Sequence, residues 1–135
     1  MNRMIDVAAA VIVDEKDRIF IARKRKGLPL EGMWEFPGGK MEPGETPPQA
    51  IKRELLEEMN IEIEAGGLVG ESVYAYEEFT IRLIAHYARI TGGEMRLTDH
   101  DMCEWVSMDE LNDYVMAPAD EPLKQIIQNR NGSAK

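Results

Sequence analysis

The chain has a single cysteine, Cys103, so no internal disulfide can form, and the expected compartment is the reducing cytoplasm. Positive charge is scarce. Sixteen Lys and Arg face 25 Asp and Glu, a net charge of −9. That sign argues against DNA or RNA as a partner, because a polyanion-binding surface is normally basic. A small anionic substrate stays open if a local basic patch or a metal ion offsets the field. Long apolar runs are missing as well. The longest, residues 7–13, is about a third of the ~20 residues a membrane-spanning helix needs. A secretory leader is not expected either, since Asp6 abuts that run, residues 14–17 are charged, and Arg3 is the only basic residue ahead of it. The two histidines, His86 and His100, have no metal-ligating companion at a recognisable spacing and read as structural. Gly38-Gly39-Lys40 lacks the spacing of a P-loop.

What remains is an ordinary globular balance: 135 residues, 44% hydrophobic and 30% charged. Residues 1–130 read as one domain and residues 131–135 as a frayed tail. Residues 7–13 are short, apolar and partly β-branched, as in a buried strand. Residues 18–22 read as a second strand, joined to the first in a hairpin across the charged residues 14–17. Residues 24–35 read as a loop, and a further irregular stretch begins at Phe36 and runs to Glu45. Thr46, Pro47 and Gln49 announce a helix start with a capping box. Ile51, Leu55 and Met59 then recur every four residues, so a helix is predicted over 47–59, ending at Asn60 in a left-handed cap. Strands are expected over 61–64, 70–76, 80–90 and 104–107, with a helical turn over 109–114. A last amphipathic helix, capped by Asp120, should turn Leu123, Ile126 and Ile127 inward. The class is α+β, an α/β/α sandwich with a mixed sheet between helices.

The first helix is chemically unusual. Glu54, Glu57 and Glu58 are three and four residues apart and share one face. Like charges at that spacing repel by roughly 0.2–0.5 kcal/mol per pair. Lys52 and Arg53 precede the cluster and nothing cationic lies within it. Carboxylates of this kind suit a hard divalent cation such as Mg²⁺, which is held by a few oxygens while phosphates and water complete its shell. A solvated acidic face explains the spacing equally well.

The fuller pattern is Gly39, five residues, Glu45, seven residues, Arg53-Glu54-Leu55, one residue, Glu57-Glu58, one residue, Asn60-Ile61. It resembles the Nudix box, the signature of the Nudix hydrolases. Eight of its nine specified positions match over 23 residues, and the departure is Asn60 where the family carries Gly. The surroundings, Trp34-Glu35-Phe36-Pro37-Gly38-Gly39-Lys40 and the late Ala117-Pro118-Ala119-Asp120, are similar to the MutT branch of nucleoside triphosphate pyrophosphohydrolases. That resemblance implies a Nudix fold and metal-dependent hydrolysis of a (deoxy)nucleoside triphosphate to the monophosphate and pyrophosphate. It implies Mg²⁺, or Mn²⁺ in its place, held by Glu54, Glu57, Glu58 and the Gly39 carbonyl. Asp99, six residues before Trp105, falls where relatives place an acidic loop residue and is a further candidate ligand. Glu54 is favoured as general base or metal bridge, and Arg53 is the residue that orients Glu57 or Glu45.

For the substrate, the resemblance places Lys40 near the triphosphate, and Lys24 or Arg23 at its phosphates. Asp120 lies where relatives read the base edge. Ionised, it can only accept, which suits a base with an amino or ring N–H donor. Phe36, Tyr74, Tyr76 and Phe79 could stack on a base, although strand aromatics more often serve a core. The resemblance extends both to the CTP pyrophosphohydrolase branch, which takes cytidine and 5-modified deoxycytidine triphosphates, and to the 8-oxo-dGTP diphosphatases. Rival readings are ADP-ribose or a dinucleoside polyphosphate as substrate, or a non-catalytic nucleotide-binding module. The partner is in each case a small nucleotide, with no nucleic acid polymer and no membrane, and the protein a monomer or homodimer.

Overall fold

The computed structural model describes residues 3–133. The apolar run at residues 7–13 lies at the end of strand β1 (Arg3–Ile12), and it is apolar because both faces are covered. Ala8, Ala10 and Ile12 pack towards helix α1 (Pro47–Met59). Ala9 and Val11 pack the other way, with Leu123 and Ile127 of helix α2 (Glu121–Ser133) and Leu111 of a short 3₁₀ turn (Glu110–Asp113). Two apolar cores thus flank one β layer, the expected α/β/α arrangement.

The β layer consists of two sheets. Strand β2 spans Ile19–Lys24, β3 Trp34–Glu35, β4 Gly38–Lys40, β5 Ile61–Ala75, β6 Phe79–Gly93 and β7 His100–Val106. The four-stranded sheet has the order β4-β1-β6-β5, and the three-stranded sheet β3-β2-β7. β1 runs parallel to β6, from Arg3 opposite Phe79 to Ile12 opposite Ala88, and antiparallel to β4. The sheet is therefore mixed, as expected.

Three local expectations are corrected. β1 and β2 do not form a hairpin: β4 and β6 occupy both edges of β1, so β2 pairs with β3 and β7 instead. Among the described residues the two segments meet at the bridge Val13–Ile19, beside which the Asp14 N–H donates to the Arg18 carbonyl at 3.0 Å. The turn between them is closed by Asp14, whose Oδ1 accepts from the Lys16 and Arg18 backbone N–H groups at 2.9 and 2.8 Å. The stretch 24–35 is not all loop, since Trp34-Glu35 forms β3 and Lys24 ends β2. Nor is the stretch after Phe36 irregular throughout, because Gly38–Lys40 pairs with β1. Gly is a poor strand former in isolation, and here close approach explains it: a Cβ on Gly38 would collide with the Ala8 carbonyl oxygen.

β5 is longer than expected. The segments at 61–64 and 70–76 are one strand, interrupted by register shifts around Gly66-Gly67 that let it stay paired with β6. β7 likewise begins at His100 rather than Glu104. α2 continues to Ser133, three residues into the segment assigned to the tail, and Ala134 and Lys135 lie outside the described residues. No helix is long and apolar enough to cross a membrane among the described residues.

α1 follows its sequence signals closely. Thr46 accepts from the Gln49 N–H at 3.3 Å while Gln49 Oε1 accepts from the Thr46 N–H at 2.9 Å, completing the capping box. Ala50, Ile51, Leu55 and Met59 are buried against β1 and β5. Asn60 closes the helix at φ 56°, the left-handed region Asn tolerates, and its Nδ2 donates to the Glu94 carbonyl at 3.0 Å. The departure from Gly at this position is accommodated by that extra bond.

Candidate active site

Burying one stripe of α1 leaves its acidic stripe facing β4 and the loop ahead of β7. Arg53 organises one side of it. Its Nε and Nη2 donate to the two Glu45 oxygens at 2.7 and 2.9 Å, Nη1 donates to Glu54 Oε1 at 2.8 Å, and Nη2 also donates to the Lys40 carbonyl at 3.0 Å. The guanidinium holds the Glu45 carboxyl down to about pH 2, helped by the Glu42 N–H, and the same pairing pushes the Arg53 guanidinium further up. Glu57 is 61% exposed and only grazes Arg53, at 3.5 Å.

Glu58 lies on the other side of Glu54. Its carboxyl is partly buried and hydrogen-bonded to both Glu54 and Asp99. Burial first, and then these two acidic neighbours, push the Glu58 carboxyl up to about 9. The helix and the loop ahead of β7 therefore bring Glu54, Glu58 and Asp99 together, with Glu57 outside that contact. Thr98 secures the loop by donating its hydroxyl to the Glu58 carbonyl at 3.0 Å. Gly39 abuts the same point: a Cβ there would lie 2.5 Å from Glu54 Oε2. Among the described residues, no three His, Cys, Asp or Glu side chains stand in ready-made chelating positions. The donor chemistry still suits a hard cation. Crowded carboxyls that must share protons when alone are relieved by a divalent ion that takes oxygen ligands.

A cleft of about 210 Å³ opens beside this cluster, and Gly39 lines it. Lys24, Lys40, Phe36, Tyr76 and Asp120, all predicted from sequence, line it too. Their roles divide. Phe36 is 2% exposed and belongs to the core, so it offers the cleft an edge rather than a free face. Tyr76 is hydrogen-bonded to the Ala119 backbone and packs between Tyr74 and Phe79, with ring centroids 4.7 and 5.4 Å away. Tyr74 and Phe79 thus back the cleft through Tyr76 and do not line it. Arg23 also lies outside: its Nε donates to Asp101 Oδ1 at 2.7 Å.

Asp120 differs from its expected capping role. Its backbone carbonyl accepts the first bond of α2, from the Lys124 N–H. Its side chain turns away from the helix, and Oδ1 accepts from the Phe36 N–H at 3.0 Å. At 5% exposure, burial first and the nearby Glu35 second raise its carboxyl well above the usual range, against the opposing pulls of the Phe36 N–H and Lys24. A carboxyl so raised keeps its proton to a higher pH than an exposed aspartate, and the protonated form has an O–H to give as well as an oxygen to accept with.

Two residues of this site escaped the sequence reading. Glu35 lines the cleft beside Asp120, and its Oε2 lies 2.7 Å from His100 Nε2 and 3.8 Å from Lys24 Nζ. The alternation of β3 gives no hint, because a two-residue strand has no period. The only signal was Glu35 interrupting an otherwise apolar Trp34–Phe36 stretch. His100, read as structural, is joined to the cleft by that contact.

A wider groove of about 540 Å³ lies at the β1–β2 turn, but its arginines are already paired, Arg18 with Asp14 and Arg89 with Glu64.

Residues 3–129 match the NUDIX domain, and the chain belongs to the Nudix hydrolase family. It is a hydrolase of the MutT type. The CTP pyrophosphohydrolase of Escherichia coli is 38% identical over 122 residues, covering 90% of this chain and 89% of that protein. A protein of Mycobacterium tuberculosis named putative 8-oxo-dGTP diphosphatase 2 is 35% identical, covering 99% and 95%. Among solved structures, the Escherichia coli ORF135 protein superimposes with a TM-score of 0.85 at 33% identity, covering 98% of this chain and 94% of that one.

Proposed function

We propose that this protein hydrolyses a (deoxy)nucleoside triphosphate, either 8-oxo-dGTP or CTP and 5-modified dCTP, to the monophosphate and pyrophosphate, using Mg²⁺ or Mn²⁺. The observation that supports this best is the position of Gly39. It lines the cleft on one side and touches the Glu54 carboxylate on the other, so a nucleotide in the cleft meets the acidic cluster at its phosphates.

Glu54, Glu57, Glu58, Asp99 and the Gly39 carbonyl are the groups that would hold the cation. When bound, it neutralises phosphate charge and makes an attacking water more acidic. Glu54 is the base that receives that water's proton, being the carboxylate against Gly39. Arg53 holds Glu54 in place while its other nitrogens anchor Glu45. Lys24 and Lys40, at the cleft, offset the triphosphate in a protein whose overall charge of −9 opposes it. Asp120 reads the base. A neutral acid pairs with an edge that sets an acceptor beside a donor, as cytosine does with N3 and its amine, and guanine with O6 and N1–H. The protein acts on free nucleotides in the cytoplasm as a monomer or homodimer, with no nucleic acid polymer and no membrane involved.

The test is chromatographic product analysis at mildly alkaline pH with Mg²⁺, reading monophosphate and pyrophosphate from 8-oxo-dGTP, dGTP, CTP, dCTP and 5-methyl-dCTP and AMP with ribose 5-phosphate from ADP-ribose, with Glu54→Gln as control. Turnover of a triphosphate that Glu54→Gln abolishes supports the reading. Turnover of ADP-ribose alone, or equal turnover by Glu54→Gln, overturns it.

A further inference from the structure

We propose that His100 is a positioning residue that fixes the Glu35 carboxylate at the base end of the cleft and ties that end to the acidic cluster on α1. This rests on the cleft being the nucleotide site.

β3 and β7 are not neighbours. β2 lies between them, with Ala22 opposite Glu35 and Lys24 opposite His100. Strands two apart in a sheet are separated by roughly 10 Å. Only two long polar side chains can meet across that gap, and Glu35 Oε2 and His100 Nε2 do so at 2.7 Å. Ala22 leaves the room.

The contact is made at a cost. The His100 side chain is 1% exposed, and its Nδ1 is buried with no hydrogen-bond partner. A buried imidazole with one unpaired nitrogen is a poor core residue, and an apolar side chain would pack there without it. A carboxylate can only accept, so Nε2 is the donor in this contact. That donor fixes one Glu35 oxygen more closely than Lys24 does at 3.8 Å.

His100 is also the third of three consecutive residues with distinct tethers. Thr98 bonds the Glu58 backbone, Asp99 bonds the Glu58 carboxyl, and His100 bonds Glu35. One short segment therefore spans from the groups that would hold the cation to the wall that faces the base. A shift at either end is felt at the other through a rigid strand start.

The test is a double-mutant cycle with Glu35→Gln. Read-outs are kcat and KM for CTP and 8-oxo-dGTP, and, independently of turnover, calorimetric Kd values for CMP and 8-oxo-dGMP. His100→Ala should weaken the preferred nucleotide about tenfold, mainly in KM and Kd, and change the ratio between the two bases. His100→Gln, whose amide nitrogen reaches as far as Nε2, should restore the ratio. In the Glu35→Gln background His100→Ala should add nothing. If the alanine variant fails to melt cooperatively, His100→Phe keeps the ring without the donor and replaces it in the cycle. Additive effects, or an equal loss on both bases that Gln does not restore, would overturn the inference. A protein that binds the monophosphates with this pattern yet hydrolyses no triphosphate would leave His100's role standing and remove the proposed activity instead.

Discussion

Arg53 grips Glu45 with two parallel hydrogen bonds, 2.7 and 2.9 Å, and gives its remaining nitrogen to Glu54 at 2.8 Å. A single planar cation thus connects the loop after β4 to the carboxylate proposed as base. The fork is what matters, because Lys offers a point charge and cannot hold both acids at once. Arg53→Lys should lower kcat about 10–100-fold, with a smaller change in Tm, measured by steady-state kinetics beside thermal melts.

Glu58 sits in contact with two other carboxyls in a half-buried place. With its carboxyl pushed up to about 9, folding near neutral pH makes Glu58 take up a proton, a cost that Glu58→Gln removes along with a candidate ligand. Glu58→Gln should therefore raise Tm in EDTA and reduce the further rise on adding Mg²⁺. Melts across a Mg²⁺ titration check both halves, since a ligand that binds only the folded state raises Tm with concentration. A lower Tm in EDTA would show that the acidic contacts hold the helix in place.

The two glycines of β4 should respond differently to the same methyl group. At Gly38 a Cβ meets the Ala8 backbone, which cannot step aside, so Gly38→Ala should destabilise by about 1–3 kcal/mol or more. At Gly39 it meets the end of the Glu54 side chain, which can swing away. Gly39→Ala should fold with nearly the parent Tm and lose at least about tenfold in kcat. Denaturant titrations and kinetics on both variants separate the cases.

Asp120 gives a pH signature with a definite sign. Its folded-state carboxyl is raised above the ordinary range, chiefly by burial, so the folded protein prefers it protonated. The associated stability is complete below the ordinary carboxylate value and is lost as pH climbs through the raised one. Asp120→Asn mimics the neutral acid and keeps an oxygen for the Phe36 N–H. Its Tm advantage over the parent should be absent below the ordinary carboxylate range and grow as pH rises above it, as melts at a series of pH values would show.

Much of this was legible in the residues, for reasons that differ by element. α1 declared itself because caps, period and Asn60 are all local signals, and the structure keeps every one of them. The β1–β2 pairing was misjudged because hairpin logic is also local, whereas the competition for the edges of β1 comes from β4 and from β6, more than 60 residues later. Gly38 and Gly39 looked like loop because their strand identity depends on how closely β1 and Glu54 approach. In the site, spacing put Glu54, Glu57 and Glu58 on one face of α1, and their expected roles came from the resemblance to the Nudix box. The division of Glu58 from Glu57, the turn of the Asp120 side chain towards Phe36, and the Glu35–His100 contact depend on strand order, which no spacing encodes.

The parallel partnership of β1 with β6 also sets the order of assembly. Residues 3–12 leave the ribosome well before their parallel partner, residues 79–88. At about 5–20 residues per second, the central apolar strand waits for seconds with that edge unfilled. It is the segment most exposed to pairing with another chain in that interval. Early contact with α1, which is complete by Met59 and covers Ala8, Ala10 and Ile12, is the protection the chain order provides. Variants that delay α1 should then lose soluble yield during synthesis more than they lose stability once folded.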